Sequence, residues 1–159
     1  MEIERKYLPQ GLPDWLELTG GVEIEQAYLC TSPTLRIRRM GDDYILTVKQ
    51  RVVAPSSAIH NREEEFMLDN GSYSRLLAKR EGNVVSKTRY KVPIGGLVAE
   101  IDVFHGVHDG LVLVEVEFPD TEAADAFTPP AWFGREVSGD RRFTNAFLAM
   151  NGATIAVTE

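Results

Sequence analysis

The feature that most constrains the fold is a two-residue alternation of charged and apolar side chains along much of the chain. A strand places successive side chains on opposite faces of a sheet, so this period is typical of strands with one apolar and one polar face. The alternation predicts eight strands, at residues 2–8, 22–29, 34–40, 43–51, 58–68, 83–92, 97–104 and 111–118. Because short turns rich in Gly, Pro, Asp or Ser separate most of them, an antiparallel meander is favoured, and closure into a barrel is one form of it.

Three further segments have the apolar spacing of helices. The first helix is predicted to begin near Asn70, the second near Asp120, and the third to span residues 144–150. The fold class is therefore mainly β with a few helices (α+β), and the helices are too few to cover a sheet on both faces. His105 and His108 lie at a predicted turn, where exposed loop histidines are expected rather than a zinc site.

Length and composition favour a single domain over residues 1–159, which is long enough to bury a substantial core. The net charge of −7 argues against a general nucleic-acid binder, whose affinity depends on broad basic surfaces. No apolar run approaches the roughly 20 residues that a membrane-spanning helix needs. The single cysteine allows no intrachain disulfide, so a cytoplasmic location is expected. A homodimer is one assembly open to a small barrel with an apolar outer face.

The charged residues of the predicted strands segregate by sign. Pairs of like charges two residues apart recur from strand to strand, and such pairs repel unless a counter-ion bridges them. The acidic residues are Glu2, Glu4, Glu63, Glu65, Glu100, Asp102, Glu115 and Glu117, and the basic residues are Lys6, Arg36, Arg38, Lys49, Lys87, Arg89 and Lys91. The alternation alone does not decide whether these side chains point outward into solvent or inward into a barrel.

A divalent cation together with a polyphosphate would bridge both kinds of pair. Carboxylate oxygens suit Mg²⁺ or Mn²⁺, whereas arginine and lysine side chains bind phosphate oxygens. A barrel of about eight strands can hold one small ligand. If the charged side chains point inward, the pattern therefore predicts a site for a metal and a highly anionic ligand.

The order and spacing of the charged motifs resemble those of the CYTH superfamily, the triphosphate tunnel metalloenzymes. The opening segment from Glu2 to Lys6 has the E-x-E-x-K signature of that superfamily. The motifs that follow in order are Leu35–Arg38, Leu46–Lys49, Arg62–Glu63 with Glu65, Lys87–Arg89, Glu100–Asp102 and Val114–Phe118. The tail from Trp132 to Val137, followed by Asp140, Arg142 and Asn145, is similar to that of the small bacterial members.

This resemblance implies an eight-stranded antiparallel β-barrel, closed into a tunnel, with helices packed outside. It also implies hydrolysis of a small anionic triphosphate with one or two Mg²⁺ or Mn²⁺ ions, most simply of tripolyphosphate to pyrophosphate and phosphate. Three alternatives remain open. One is an adenylyl cyclase that makes cyclic AMP and pyrophosphate from ATP. The second is a nucleoside or thiamine triphosphatase, and the third is a polyphosphate-binding module without catalysis.

The resemblance also implies roles for individual residues. Glu2, Glu4 and Glu117 correspond to ligands of the metal that organises the phosphates. Glu63, Glu65, Asp102 and Glu115 correspond to ligands of a second metal or to residues that position water. The expected phosphate-binding residues are Arg36, Arg38, Lys49, Arg62, Lys87 and Arg89. Lys6 and Tyr28 resemble a catalytic pair that positions or activates the attacking water in short bacterial members.

Overall fold

The computed structural model describes residues 3–53 and 59–152, with side-chain environments for 3–50 and 62–152. Nine strands and three α-helices form over this part of the chain. The strands are β1 (Ile3–Leu8), β2 (Val22–Thr31), β3 (Thr34–Met40), β4 (Asp43–Val53), β5 (Ile59–Leu68), β6 (Glu81–Ile94), β7 (Leu97–His105), β8 (Val112–Phe118) and β9 (Arg135–Glu136). The α-helices are α1 (Asn70–Leu77), α2 (Thr121–Ala126) and α3 (Asn145–Met150). The eight strands predicted from the alternation are thus all present, and β9 is an additional short one.

The strands form one antiparallel sheet in the order β5-β4-β3-β2-β6-β7-β8-β1-β9. Within the described residues, β5 pairs with β4 alone and β9 pairs with β1 alone. The prediction of a closed eight-stranded barrel is therefore wrong, because the sheet is open and has nine strands. Local alternation specifies the face on which each side chain lies. Closure, in contrast, requires hydrogen bonds between the first and last strands of the sheet, which no local pattern encodes.

One face of the sheet is apolar and is covered by two of the helices. Near β1, β7 and β8, α2 and the Ala131–Phe133 turn pack against a buried cluster that includes Tyr7, Ile101 and Val116. Near β2 to β4, α1 inserts Tyr73 into a second cluster. These contacts bury the apolar half of the alternation and leave the charged half on the opposite face.

The third helix packs on the charged side of the sheet rather than outside it. Leu148 of α3 belongs to a buried cluster that contains Val85, Phe104 and Leu113. In register, Phe104 lies opposite Lys87 and Leu113 lies opposite Asp102, so this cluster shares a face with charged residues. The prediction that the helices pack outside therefore fails for α3. The amphipathic spacing of a short helix does not specify which sheet face receives it.

His108 is also placed differently from the prediction. It lies in the connection between β7 and β8 and is fully buried. Its Nε2 atom hydrogen-bonds to the backbone carbonyls of Leu148 and Asn151, at 2.5 and 3.1 Å. His108 therefore fastens the end of α3 to the sheet and is not an exposed loop histidine.

The described part of the chain contains no helix with the length and apolar character needed to cross a bilayer.

Candidate active site

Strand register places almost all of the predicted site residues on one face of the sheet. Directly paired residues of antiparallel strands, and alternate residues along a strand, have side chains on the same face. The pairs that share this face are Glu4–Glu117, Lys6–Glu115, Glu100–Glu115, Arg89–Asp102, Lys87–Phe104, Ile24–Lys87, Gln26–Arg38, Tyr28–Arg36, Arg36–Thr47, Thr47–Glu65 and Lys49–Glu63. We call this surface the charged face.

One predicted residue lies apart from this group, and another falls outside the described residues. Arg62 pairs with Gln50 and therefore lies on the opposite face, where its side chain is 72% exposed and contacts Glu64. The sequence itself carries this signal, because Arg62 directly precedes Glu63 and neighbouring residues of a strand cannot share a face. Glu2 lies outside the described residues, so its predicted role as a metal ligand stays a prediction.

Asp102 lies at the centre of the charged face between two cations. Its carboxylate accepts two hydrogen bonds from Arg89, at 2.8 and 3.0 Å, and lies 2.8 Å from the nitrogen of Lys87. Asp102 and Lys87 are only 4% and 3% exposed. Arg89 also lies 3.6 Å from Glu100, so the central group alternates in charge.

Burial and ion pairing compete in this central group. Burial raises the pKa of Asp102, but the hydrogen bonds from Arg89 and the charge of Lys87 outweigh it, so the pKa is below its ordinary value. Burial also lowers the pKa of Lys87, although the charge of Asp102 opposes this effect. The nearly complete burial of Lys87 therefore disfavours its cationic form, and a bound anion would favour that form.

Arg36 and Arg38 form a second group of cations on strand β3. The guanidinium of Arg36 donates to the hydroxyl of Thr47 at 3.5 Å, and Arg38 lies 4.0 Å from Glu65. The Nε atoms of both arginines are buried and have no hydrogen-bond partner among the residues that the structure describes. Burial, together with the positive charge of Arg36, lowers the pKa of Arg38. Two buried guanidinium Nε–H groups without acceptors are an unfavourable arrangement that an anionic ligand would relieve.

Of Lys6 and Tyr28, the predicted catalytic pair, Lys6 contacts the segment that precedes α3, and Tyr28 belongs to a buried cluster that includes a residue of that segment. The nitrogen of Lys6 donates to the carbonyl of Phe143 at 3.1 Å and lies 3.9 Å from the carboxylate of Glu115. Tyr28 packs in the same buried cluster as Phe143. Burial raises the pKa of the Tyr28 hydroxyl, and the positive charge of Arg36 partly offsets this rise. The segment around Phe143 therefore lies near both Lys6 on β1 and Tyr28 on β2.

Sequence comparison with two relatives shows the family to which the chain belongs. The chain is 43% identical to the inorganic triphosphatase of Nitrosomonas europaea over 156 residues, which cover 94% of this chain and 97% of that protein. The chain belongs to the inorganic triphosphatase family. It is also 36% identical over 153 residues to the inorganic triphosphatase of Acetivibrio thermocellus, with coverage of 94% of each chain. No model of a protein family matches the chain in a scan of such models.

The fold agrees with this family. The crystal structure of the inorganic triphosphatase NE1496 superposes with a TM-score of 0.74 at 39% identity, and the match covers 95% of each chain. Membership of the inorganic triphosphatase family confirms the resemblance to the small bacterial triphosphate tunnel metalloenzymes.

The carboxylates of the charged face have the donor chemistry of a site for a hard divalent cation. Glu4 lies directly opposite Glu117, and Glu100 lies directly opposite Glu115. Like charges at such positions repel, so a cation shared between them would be stabilising. Within the described residues, no three Asp, Glu, His or Cys side chains are grouped at metal-binding distance. Mg²⁺ commonly takes only one or two carboxylates and completes its shell with water and phosphate oxygens, so paired carboxylates fit this ion.

Sequence reasoning gave no site role to two uncharged members of the charged face, Thr47 and Asn145. Thr47 is buried and bridges Arg36 and Glu65 through hydrogen bonds of 3.5 and 3.4 Å. Asn145, at the start of α3, lies 3.5 Å from the nitrogen of Lys87. Thr47 lies two residues before Lys49 on the same strand, so the alternation could have identified it. Asn145 could not be found in this way, because α3 reaches the face through tertiary packing.

Proposed function

We propose that the protein hydrolyses tripolyphosphate to pyrophosphate and phosphate on the charged face, with the help of a divalent cation. The observation that carries this proposal is the pair of buried Nε atoms of Arg36 and Arg38, for which the described part of the chain offers no acceptor. Phosphate oxygens are strong acceptors for guanidinium donors. A linear triphosphate would supply several such oxygens without requiring a pocket for a nucleobase. The names of the two curated relatives support the same substrate.

The basic residues of the face bind the substrate in this proposal. Arg36 and Arg38 bind it from β3, whereas Lys87 and Arg89 bind it from β6. Because Asp102 holds both Lys87 and Arg89, it orients these two cations before the substrate arrives. Oriented cations stabilise the charge that develops on the phosphoryl oxygens in the transition state.

Glu4 and Glu117 would hold the cation, together with Glu2 if its predicted role is correct. When bound, Mg²⁺ or Mn²⁺ would neutralise phosphate charge and bring the substrate into register with the face. Glu63 and Glu65 on β5, and Glu115 on β8, remain predicted ligands of a second cation or residues that position water.

The chemical step is the attack of water on a terminal phosphorus atom. A new P–O bond forms, the bridging P–O bond breaks, and its electron pair leaves with pyrophosphate. Lys6, held by the carbonyl of Phe143, orients the water together with Tyr28. The Glu115 carboxylate, 3.9 Å from Lys6, accepts the proton of the water in this proposal.

Incubation of the purified protein with tripolyphosphate and Mg²⁺ or Mn²⁺ tests the proposal. We expect orthophosphate and pyrophosphate in equal amounts, and no release after the metal is chelated. Glu117→Gln is expected to lower turnover by about a hundredfold or more, since it removes a ligand charge that acts on the transition state. Glu17→Gln is the matched control, because Glu17 is an exposed loop residue.

A parallel incubation with ATP separates the alternatives. Cyclic AMP with pyrophosphate, in place of orthophosphate, would contradict a hydrolase and identify a cyclase. Tight binding of tripolyphosphate without turnover at any metal concentration would identify a binding module. The cytoplasmic location and the homodimer stay predictions.

A further inference from the structure

Gln26 is a buried polar residue that the proposed chemistry leaves unexplained. It lies near the middle of β2 and is only 1% exposed. Its side-chain nitrogen, Nε2, is buried and has no hydrogen-bond partner within residues 3–50 and 62–152, whose side chains the structure describes. A buried amide nitrogen without an acceptor destabilises a folded protein, and native structures contain few of them. A hydrogen-bond acceptor on a bound ligand would therefore stabilise the buried Nε2 group of Gln26.

Strand register places Gln26 among the phosphate-binding residues. It pairs with Arg38 of β3 on one side and with Val85 of β6 on the other, so its side chain lies on the charged face. The next pair along β2 and β3 is Tyr28 with Arg36. Gln26, Arg36 and Arg38 thus occupy neighbouring positions, and each has a buried nitrogen donor without a partner in the described structure. Three such donors side by side indicate one shared acceptor.

The neutral charge of Gln26 suits this position. Arg36 already lowers the pKa of Arg38 through its positive charge, so a third cation here would add to that repulsion. An amide supplies two N–H donors without adding charge. Val85 and Ile24, its apolar neighbours on the same face, offer no acceptor of their own.

We propose that the side-chain amide of Gln26 binds a non-bridging phosphate oxygen of the triphosphate, beside the guanidinium of Arg38. This inference rests on the proposed function, because it assigns Gln26 to the same substrate. Gln26 is a substrate-binding residue in this view, and no step of the reaction passes a proton through it.

Two substitutions of similar size separate a binding role from a structural one. Gln26→Met removes both amide donors, and Gln26→Glu replaces them with a negative charge. Gln50→Met is the matched control, because Gln50 lies exposed on the opposite face. Each variant is titrated calorimetrically with tripolyphosphate in the presence of a chelator, so that hydrolysis does not consume the ligand. Each is also melted without ligand, and its KM for hydrolysis is measured with Mg²⁺.

The expected result combines two opposite changes. Gln26→Met melts at or above the wild-type midpoint, because an unsatisfied buried donor is gone. Its affinity for tripolyphosphate falls by about ten- to a hundredfold, the loss typical of a hydrogen bond to a charged group. KM rises by a similar factor. Gln26→Glu loses more affinity, because its carboxylate repels phosphate. Gln50→Met changes neither quantity.

A structural role gives the reverse pattern. A lower melting midpoint of Gln26→Met with unchanged affinity and KM would overturn the inference, and so would unchanged affinity of Gln26→Glu if Gln26→Met does not fold. Binding that depends on Gln26 in a protein without turnover would support the inference while refuting the proposed hydrolysis. Absence of both tripolyphosphate binding and tripolyphosphate hydrolysis in the wild-type protein would refute both.

Discussion

Arg89 and Asp102 face each other across strands β6 and β7, and the guanidinium binds both oxygens of the carboxylate. The same carboxylate lies 2.8 Å from the buried nitrogen of Lys87. One negative charge therefore holds two cations that the proposed mechanism assigns to the substrate. Its removal should affect the stability of the empty protein as well as substrate binding.

Asp102→Asn is expected to destabilise the protein by about 3 kcal/mol or more, because it leaves a buried lysine without its counter-charge. Urea unfolding at neutral pH measures the change in the free energy of unfolding. Asp14→Asn, at an exposed loop residue, is the control and should differ from wild type by less than about 0.5 kcal/mol. Equal stability of Asp102→Asn and wild type would mean that this ion pair adds nothing to the fold.

Arg38→Gln and Arg62→Gln test whether the face of the sheet, rather than the charge itself, determines phosphate binding. Arg38→Gln should weaken tripolyphosphate binding by about ten- to a hundredfold and leave unfolding almost unchanged, since the arginine is poorly satisfied in the empty protein. Arg62→Gln should have no effect on binding, because Arg62 lies on the other face. A titration with tripolyphosphate compares the two. Equal losses in both variants would contradict the assignment of the charged face.

The comparison of Arg38 with Arg62 shows how far the sequence predicts this site. Alternation along the strands predicts which side chains share a face, and register confirms that placement for the residues grouped there. Arg62 was included because it belongs to a charged motif, although its position next to Glu63 argues for the opposite face. The motif favours Arg62 as a phosphate-binding residue, whereas the period of the strand places its side chain on the face away from Arg38.

Glu117→Gln is expected to stabilise the metal-free protein by about 0.5 kcal/mol, because it relieves repulsion from Glu4 directly across the strand pair. Thermal melting in the presence of a chelator measures the shift in midpoint. Glu17→Gln removes a charge of the same sign from an exposed loop and serves as the control. A fall in the midpoint of Glu117→Gln alone would show that Glu117 has a stabilising partner stronger than this repulsion.

Glu136 is expected to make part of the stability depend on pH. Hydrogen bonds from Arg5 and then Ser138 lower its pKa from 4.5 to about 2. A carboxyl group with a lowered folded-state pKa stabilises the protein above its unfolded-state pKa, and this contribution disappears as the pH falls through the folded-state pKa. Wild type should therefore exceed Glu136→Gln in stability at pH 6, and the difference should shrink between pH 4.5 and about 2.

Urea unfolding at several pH values measures the dependence for both proteins. The effect should be small, because solvent screens this half-exposed pair. A difference that grows on acidification would have the wrong sign for a stabilised carboxylate.

The open sheet and the position of α3 could not be predicted from the sequence, because both depend on contacts between residues far apart in the chain. Closure of the sheet would require β5 to pair at the far edge, and the local pattern of β5 is the same in open and closed sheets. The position of α3 depends on contacts such as that between His108 and Leu148, which are forty residues apart in the chain. Gln26 stands out in the structure and not in the sequence for a different reason, because the motifs of this site are defined by charge and its amide is neutral.

The alternation of the central strands separates two kinds of selective pressure at single-residue spacing. Ile101, fully buried on the apolar face, directly precedes Asp102, which lies among the proposed phosphate ligands. Substitution of Ile101 would lower the amount of folded protein. Substitution of Arg89 would lower turnover in a protein that still accumulates. A library of single substitutions through β6, β7 and β8, scored separately for abundance and for activity, would therefore yield two interleaved patterns that are out of phase by one residue.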